Sequence, residues 1–137
     1  MTIRNIFDVA SGAMSAQMTR LNTVASNLAN AGSVSSTSEG AYRALRPVFQ
    51  TVYADQLGQS GIATTRVQDV VKLDRDPVRA YRPDHPQADA DGFVYESVVN
   101  PDEEMVEMME ASRQYQNVLE TVSTLRTLMA RTVNMGQ

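Results

Sequence analysis

The chain has 137 residues, no cysteine and one histidine, with 42% hydrophobic and 20% charged residues and a formal net charge of −4. Such a length allows one domain, or a small globular insert carried on a pair of long helices, and the absence of Cys removes disulfides, thiolate catalysis and Cys-ligated metal. The acidic balance argues against nucleic acid as a partner, because that binding rests on Lys and Arg neutralising phosphates; no apolar run approaches the roughly 20 residues that direct insertion across a bilayer requires.

In chain order, the first ten residues hold one Arg, an Asp at position 8 and a helical period, without the apolar core and cleavage site of a secretory signal. If the protein leaves the cytoplasm, the general secretory route is not expected to carry it. Phe7, Met14, Leu21 and Leu28 recur every seven residues, and Ile3, Ala10, Gln17, Val24 and Ala31 form the second row of the same heptad. This spacing predicts a coiled-coil helix over residues 1–32. Several of its knobs are small or polar, so a single helix pair buries little apolar area and is expected to associate weakly.

The pattern stops at Gly32-Ser33, and the Ser/Thr-rich stretch to Gly40 reads as a loop or linker. Ala41 to Tyr53 alternates like a short strand, which Pro47 confines to an edge. A turn is expected at Leu57-Gly58-Gln59-Ser60-Gly61, followed by a strand with Ala63, Thr65, Val67, Val71 and Leu73 on one face and Asp69 as the single polar interruption. Asp74 to Pro77 ends it. Val78 to Tyr81 is a further short strand, Arg82 to Asp91 a Pro- and Asp-rich loop, and Gly92 to Val99 a last β-type run. Residues 33–99 therefore read as a linker and small β-rich insert, too small for a large core and expected to lean on the helices or on neighbouring subunits.

Residues 100–137 carry a start, a period and a stop. Asn100 suits an N-cap, Pro101 the first helical position, and Glu103 the place from which a carboxylate reaches back to the cap's amide. From there Met105, Met108, Ser112, Tyr115, Leu119, Val122, Arg126, Met129 and Val133 follow in steps of three and four, widened by Val118, Leu125 and Leu128. This predicts a second coiled-coil helix, paired with the first. Residues 1–50 carry net +2, and 51–100 and 101–137 each net −3, so the terminal helices are biased to lie on each other or on copies of each other. A solvated acidic face at Glu103, Glu107 and Glu110 explains much of that count equally well. Eight Met, five of them in the last 33 residues, suit an adaptable apolar surface, although core filling also accounts for them.

Catalytic chemistry finds little support. His85 lies between Pro83 and Pro86 with Asp84, Asp89 and Asp91 nearby, a workable ligand set in type. Asp89-Ala90-Asp91-Gly92 resembles the middle of a calcium loop, but Glu96 arrives two residues early and the other ligand positions lack oxygen donors. A Pro-pinned turn capped by Asp side chains is the expectation. No nucleophile matches the single His, and no glycine-rich phosphate loop occurs, so neither catalytic residues, cofactor nor metal are assigned.

At Ser26-Asn27-Leu28-Ala29-Asn30-Ala31 the chain resembles the signature that ends the N-terminal helix of bacterial flagellar rod and hook proteins. Three further stretches narrow the resemblance to the proximal rod protein C family. Leu21 to Ala25 leads into the motif; Asp76-Pro77, Tyr81, Pro83, His85-Pro86, Ala88-Asp89 and Asp91-Gly92-Phe93-Val94 match the middle segment; Val99-Asn100-Pro101, Glu103 to Val106, Met109, Ala111-Ser112-Arg113 and Tyr115-Gln116 match the C-terminal helix. The resemblance implies a mainly α protein with a small β insert, whose long terminal helices form a coiled-coil pair and assemble helically. It implies a structural subunit of the rod that spans the periplasm in the flagellar basal body, a drive shaft around an export channel. The implied partners are further copies, other rod proteins, the rotor ring, hook-basal-body adaptor proteins and the flagellar type III export apparatus. Two other readings stay open: a cytoplasmic coiled-coil adaptor, and a metal-dependent enzyme around His85.

Overall fold

The computed structural model describes residues 3–53 and 63–135, with side chains from residue 5 onward. The expected turn at Leu57 to Gly61 and the end of the last helix at Gly136 lie outside the described residues. Two helices, α1 (Ile3–Ala29) and α2 (Pro101–Met135), flank five strands: β1 (Val34–Ser35), β2 (Leu45–Tyr53), β3 (Ala63–Lys72), β4 (Val78–Tyr81) and β5 (Phe93–Glu96). At about 1.5 Å per residue the helices run about 40 Å and about 52 Å.

α2 begins and α1 ends for local reasons. The Asn100 side chain accepts the Asp102 amide (3.0 Å) and its carbonyl accepts the Glu104 amide, so Asn100 is the N-cap of α2 with Pro101 after it. The reciprocal bond expected from Glu103 is absent among the described residues, and Glu103 points to solvent. At the other end of the connection, the Asn30 amide side chain donates to the Ser26 carbonyl (2.8 Å) and the chain turns out of α1 there. Ala31 thus lies in the turn and not on a helical seam.

The helices lie side by side and antiparallel. Phe7 sits under the Arg126 guanidinium, Gln17 bonds Gln114, Arg20 pairs with Glu107, and Asn27 bonds Glu104, so rising numbers in α1 meet falling numbers in α2. Past Met129, α2 is open on all sides to Met135. The chain between them forms an antiparallel β2–β3 hairpin and a three-stranded antiparallel sheet in the order β1-β5-β4. The hairpin lies against the opposite flank of α1, where a Cβ on Gly12 would approach the Thr64 hydroxyl to 2.6 Å. α1 is the central element, with α2 on one side and the hairpin on the other.

Several expectations are corrected. The stretch 33–40 contributes β1, whose Ser35 pairs with Tyr95. The strand expected from Ala41 starts at Leu45, and the run expected to reach Val99 ends at Glu96. In β3 the register slips: Val48 pairs with Asp69 but Phe49 with Val67, leaving Gln68 as an extra residue. A bulge of this kind inverts the alternation, so Val67 and Val71 lie on opposite faces.

Candidate functional site

Asn27 is the point at which α1, β2 and α2 meet. Its side chain is 0% exposed, in the last turns of α1, where any unpaired polar group would be costly. All four of its hydrogen-bonding positions are used. Nδ2 donates to the Leu45 carbonyl (2.9 Å) and to Glu104 Oε2 (3.0 Å), while Oδ1 accepts the Leu45 amide (2.7 Å) and the Tyr42 hydroxyl (3.0 Å). The amide therefore engages Leu45 through both of its backbone groups, as a neighbouring strand does. Asn27 caps the start of β2 rather than the end of its own helix. The Tyr42 hydroxyl also lies 3.1 Å from Ser26 Oγ, which ties a second residue of the motif into the junction.

Glu104 completes it from the first turn of α2. It is 2% exposed, and its second carboxylate oxygen accepts Arg46 Nη2 at 2.5 Å. This hydrogen bond, and then the charge behind it, holds the Arg46 guanidinium above its ordinary pKa. Arg46 is about one-third exposed and also bonds the Leu45 carbonyl (3.2 Å), so the buried negative charge has a partner that reaches water. A buried carboxylate without such a partner is strongly destabilising. The arrangement binds three elements by polar bonds.

The remaining motif residues divide by role. Leu28 is half-buried and Ala29 exposed. His85, Pro86, Asp89, Asp91 and Gly92 form the turn between β4 and β5. Asp89 Oδ1 accepts the amides of Asp91 (3.0 Å) and Phe93 (2.8 Å), and His85 Nδ1 accepts the Gln87 amide (3.1 Å). Gly92 takes φ +79°, and a Cβ there would come within 2.9 Å of the Tyr81 ring. The Asp89 carboxylate is thus engaged in capping a turn, and no cluster of three or more His, Cys, Asp or Glu among the described residues is placed to hold a metal.

The expected interface residues fall into two groups. Phe7, Met14, Leu21, Val24 and Leu28 of α1, and Met108, Tyr115, Val122 and Met129 of α2, are buried or half-buried. Met105, Leu119 and Val133 are 51%, 50% and 66% exposed, and Arg126 is open apart from its contact with Phe7. Their place on the α1 side of α2 is taken by the row one residue earlier, Glu104, Ala111, Val118 and Leu125, which is buried or half-buried throughout. The reason lies at Glu104, which must turn inward to meet Asn27 and Arg46, and thereby sets the rotation of the helix. Also unexpected is the second buried side of α1, with Ala16 3% and Thr23 5% exposed beneath the hairpin. Its signal was a line of small residues through Gly12, Ala16, Thr19 and Thr23, which has no hydrophobic period to find.

Two sequence families match. Residues 7–32, which contain Asn27, match the flagella basal body rod protein family, and residues 90–135, which contain Glu104, match the C-terminal family of the flagellar basal body rod FlgEFG proteins. The chain is also similar from end to end to flagellar basal-body rod protein FlgC of several bacteria. It is 41% identical to that of Escherichia coli O6:H1 and 40% to that of Salmonella typhimurium, each over 137 residues and all of both chains. With that of Yersinia enterocolitica it shares 42% identity over 139 aligned positions, again across both whole chains.

Proposed function

The chain belongs to the FlgC family of flagellar basal-body rod proteins, and on that premise we propose that it is a structural subunit of the proximal rod, polymerising through its terminal helices. In this reading it occupies the part of the rod that spans the periplasm, transmits torque along it and helps to enclose the export channel. Its partners are further copies of itself, other rod proteins, the rotor ring, hook-basal-body adaptor proteins and the type III export apparatus that delivers it. Residues 1–32 and 100–137 act as coiled-coil segments and 33–99 as the insert between them.

The observation that supports this most is the division of the α2 heptads. Met108, Tyr115, Val122 and Met129 are used inside the chain, while Met105, Leu119 and Val133 stand on a neighbouring face that nothing among the described residues covers. A long helix with one satisfied and one open apolar row is built for association with further helices.

The test has two arms. The tagged chain is followed into isolated, detergent-resistant basal bodies, and its deletion is expected to leave rings without a rod; a chain that stays in the soluble cytoplasm with motility intact overturns the reading in favour of an adaptor. Then Leu21→Asp and Leu119→Asp are compared. Leu21→Asp places a charge in the packed side of α1 and is expected to lower helix content. Leu119→Asp is expected to keep the fold while removing the chain from basal bodies.

A further inference from the structure

Asp91-Gly92 is the one place in the chain where Asp or Asn precedes Gly. Such a pair carries its own reactivity. With no Cβ on glycine to obstruct the approach, the Gly92 main-chain nitrogen can attack the side-chain carboxyl carbon of Asp91. The new C–N bond closes a five-membered succinimide while the carboxyl oxygen leaves as water, taking the amide proton with it. Water then returns at one of the two ring carbonyls. Opening at the side-chain carbonyl restores aspartate, whereas opening at the main-chain carbonyl leaves the backbone running through the Asp91 side chain as isoaspartate. Composition is unchanged, and water is the only other reactant.

The fold leaves that carboxyl available and restrains the nitrogen. Asp91 is exposed, and its carboxylate has no hydrogen-bond or ion-pair partner among the described residues. Asp89, half-buried beside it, holds the backbone of the next residues by three of its groups. Its carbonyl accepts the Gly92 amide (3.0 Å), its Oδ1 accepts the amides of Asp91 (3.0 Å) and Phe93 (2.8 Å), and its own amide donates to the Phe93 carbonyl (2.7 Å). From the end of β4 the Arg82 amide donates to the Gly92 carbonyl (2.9 Å). For the Gly92 nitrogen to turn toward the Asp91 carboxyl, its N–H must leave Asp89 and the turn must open. We propose that Asp91-Gly92 is a site of spontaneous aspartyl isomerisation, and that Asp89 is the positioning residue that suppresses the reaction in the folded chain by keeping this turn closed.

The lesion would not be silent. β5 is the middle strand of its sheet, with Phe93 opposite Tyr81 and the fully buried Val94 opposite Ala80. Isoaspartate adds a methylene to the main chain two residues before Phe93, so the same turn cannot close with both pairs in register. This inference goes beyond the rod reading and does not depend on it.

The purified full-length chain is aged at neutral pH, and isoaspartate at position 91 is followed by peptide mapping with fragmentation that separates aspartyl from isoaspartyl linkages. Asp89→Ala, which removes both Oδ1 bonds, is expected to isomerise faster than the natural chain by on the order of tenfold, because those bonds oppose the opening that the reaction needs. Asp89→Asn keeps an acceptor oxygen in place and is expected to age like the natural chain. Asp89→Ala with Asp91→Ser is expected to form no isoaspartate in this segment, which ties the signal to Asp91. Should Asp89→Ala fail to fold, the natural chain with and without urea gives the same comparison, the unfolded chain being expected to react faster. Equal rates for the folded and urea-unfolded natural chain would overturn the proposal. So would a folded Asp89→Ala variant that ages no faster than the natural chain, or an Asp89→Asn variant that ages as fast as Asp89→Ala.

Discussion

Asn27 and Glu104 carry an importance out of proportion to their polarity, because each is buried where only a complete set of partners makes burial tolerable. Replacing Asn27 with Ala strands the Leu45 amide, leaves the Leu45 carbonyl to Arg46 alone, and frees one side of the Glu104 carboxylate. Each buried group left unpaired costs about 1–3 kcal/mol, so the variant is expected to lose about 2–4 kcal/mol in urea denaturation. Arg46→Met leaves Glu104 buried without its counter-charge and is expected to cost about 3 kcal/mol, whereas Arg46→Met with Glu104→Met recovers most of that loss. A double variant as unstable as the single one would show that Glu104 is held by something other than Arg46. Gly92 is a second residue whose identity is forced: Ala there combines a positive φ with a contact of 2.9 Å to the Tyr81 ring. It is expected to destabilise by about 1–3 kcal/mol and to shift the amide resonances of β4 and β5 without touching those of α1.

Between the helices, polar contacts set the alignment that the apolar rows leave open. Gln17 with Gln114 and Asn27 with Glu104 are each ten residues apart on their own helix, so both pairs demand the same antiparallel register. The Gln17 side chain keeps one buried oxygen without a partner, a cost that a Leu pair would not carry. Gln17→Leu with Gln114→Leu is therefore expected to raise the unfolding midpoint while loosening alignment, which paramagnetic labels near Met14 and Val118 read as a broadened distance distribution. A narrow, unchanged distribution would show that the packing of Ala111 and Val122 is sufficient to hold the register. The heptads were legible in the sequence because periodicity is local. The choice between the row at Met105 and its neighbour at Glu104 was not, because it rests on Arg46 and Asn27, 58 and 77 residues away in the chain.

At the scale of the molecule, α1 is held between α2 and a two-stranded hairpin, and the α1–α2 contact has polar residues at Gln17, Arg20 and Asn27. A pair of this kind draws less on hydrophobic burial than an all-apolar seam and more on its neighbours. Among the described residues α1 has 27 and α2 has 35, which places 62 residues of the 137-residue chain in helix. If the terminal helices complete themselves on assembly, circular dichroism of the isolated monomer shows clearly less helix than that proportion, rising on incorporation. A monomer with its full helix content would mean that the two helices are self-sufficient and that assembly only docks finished surfaces. The β4–β5 turn supports the same structural role: Asp89 and His85 bond backbone amides, and Arg79 lies 3.6 Å over the Phe93 ring.

The start of α2 and the end of α1, the turn built on Asp89 and Gly92, and the resemblance carried by Ser26 to Asn30 were determined by the sequence itself, since capping, turn chemistry and heptad spacing act between residues close in the chain. The tertiary structure decided which of two adjacent heptad rows on α2 turns inward, where the bulge at Gln68 reverses the hairpin's faces, and why α1 is lined with small residues on its second side. These outcomes depend on whether a distant backbone or counter-charge stands within a few ångströms, and on how closely two elements approach, as at Gly12 and Thr64. Asn27 joins the two levels: its place at the end of a helix is local, but its reason for being there is Leu45 and Glu104.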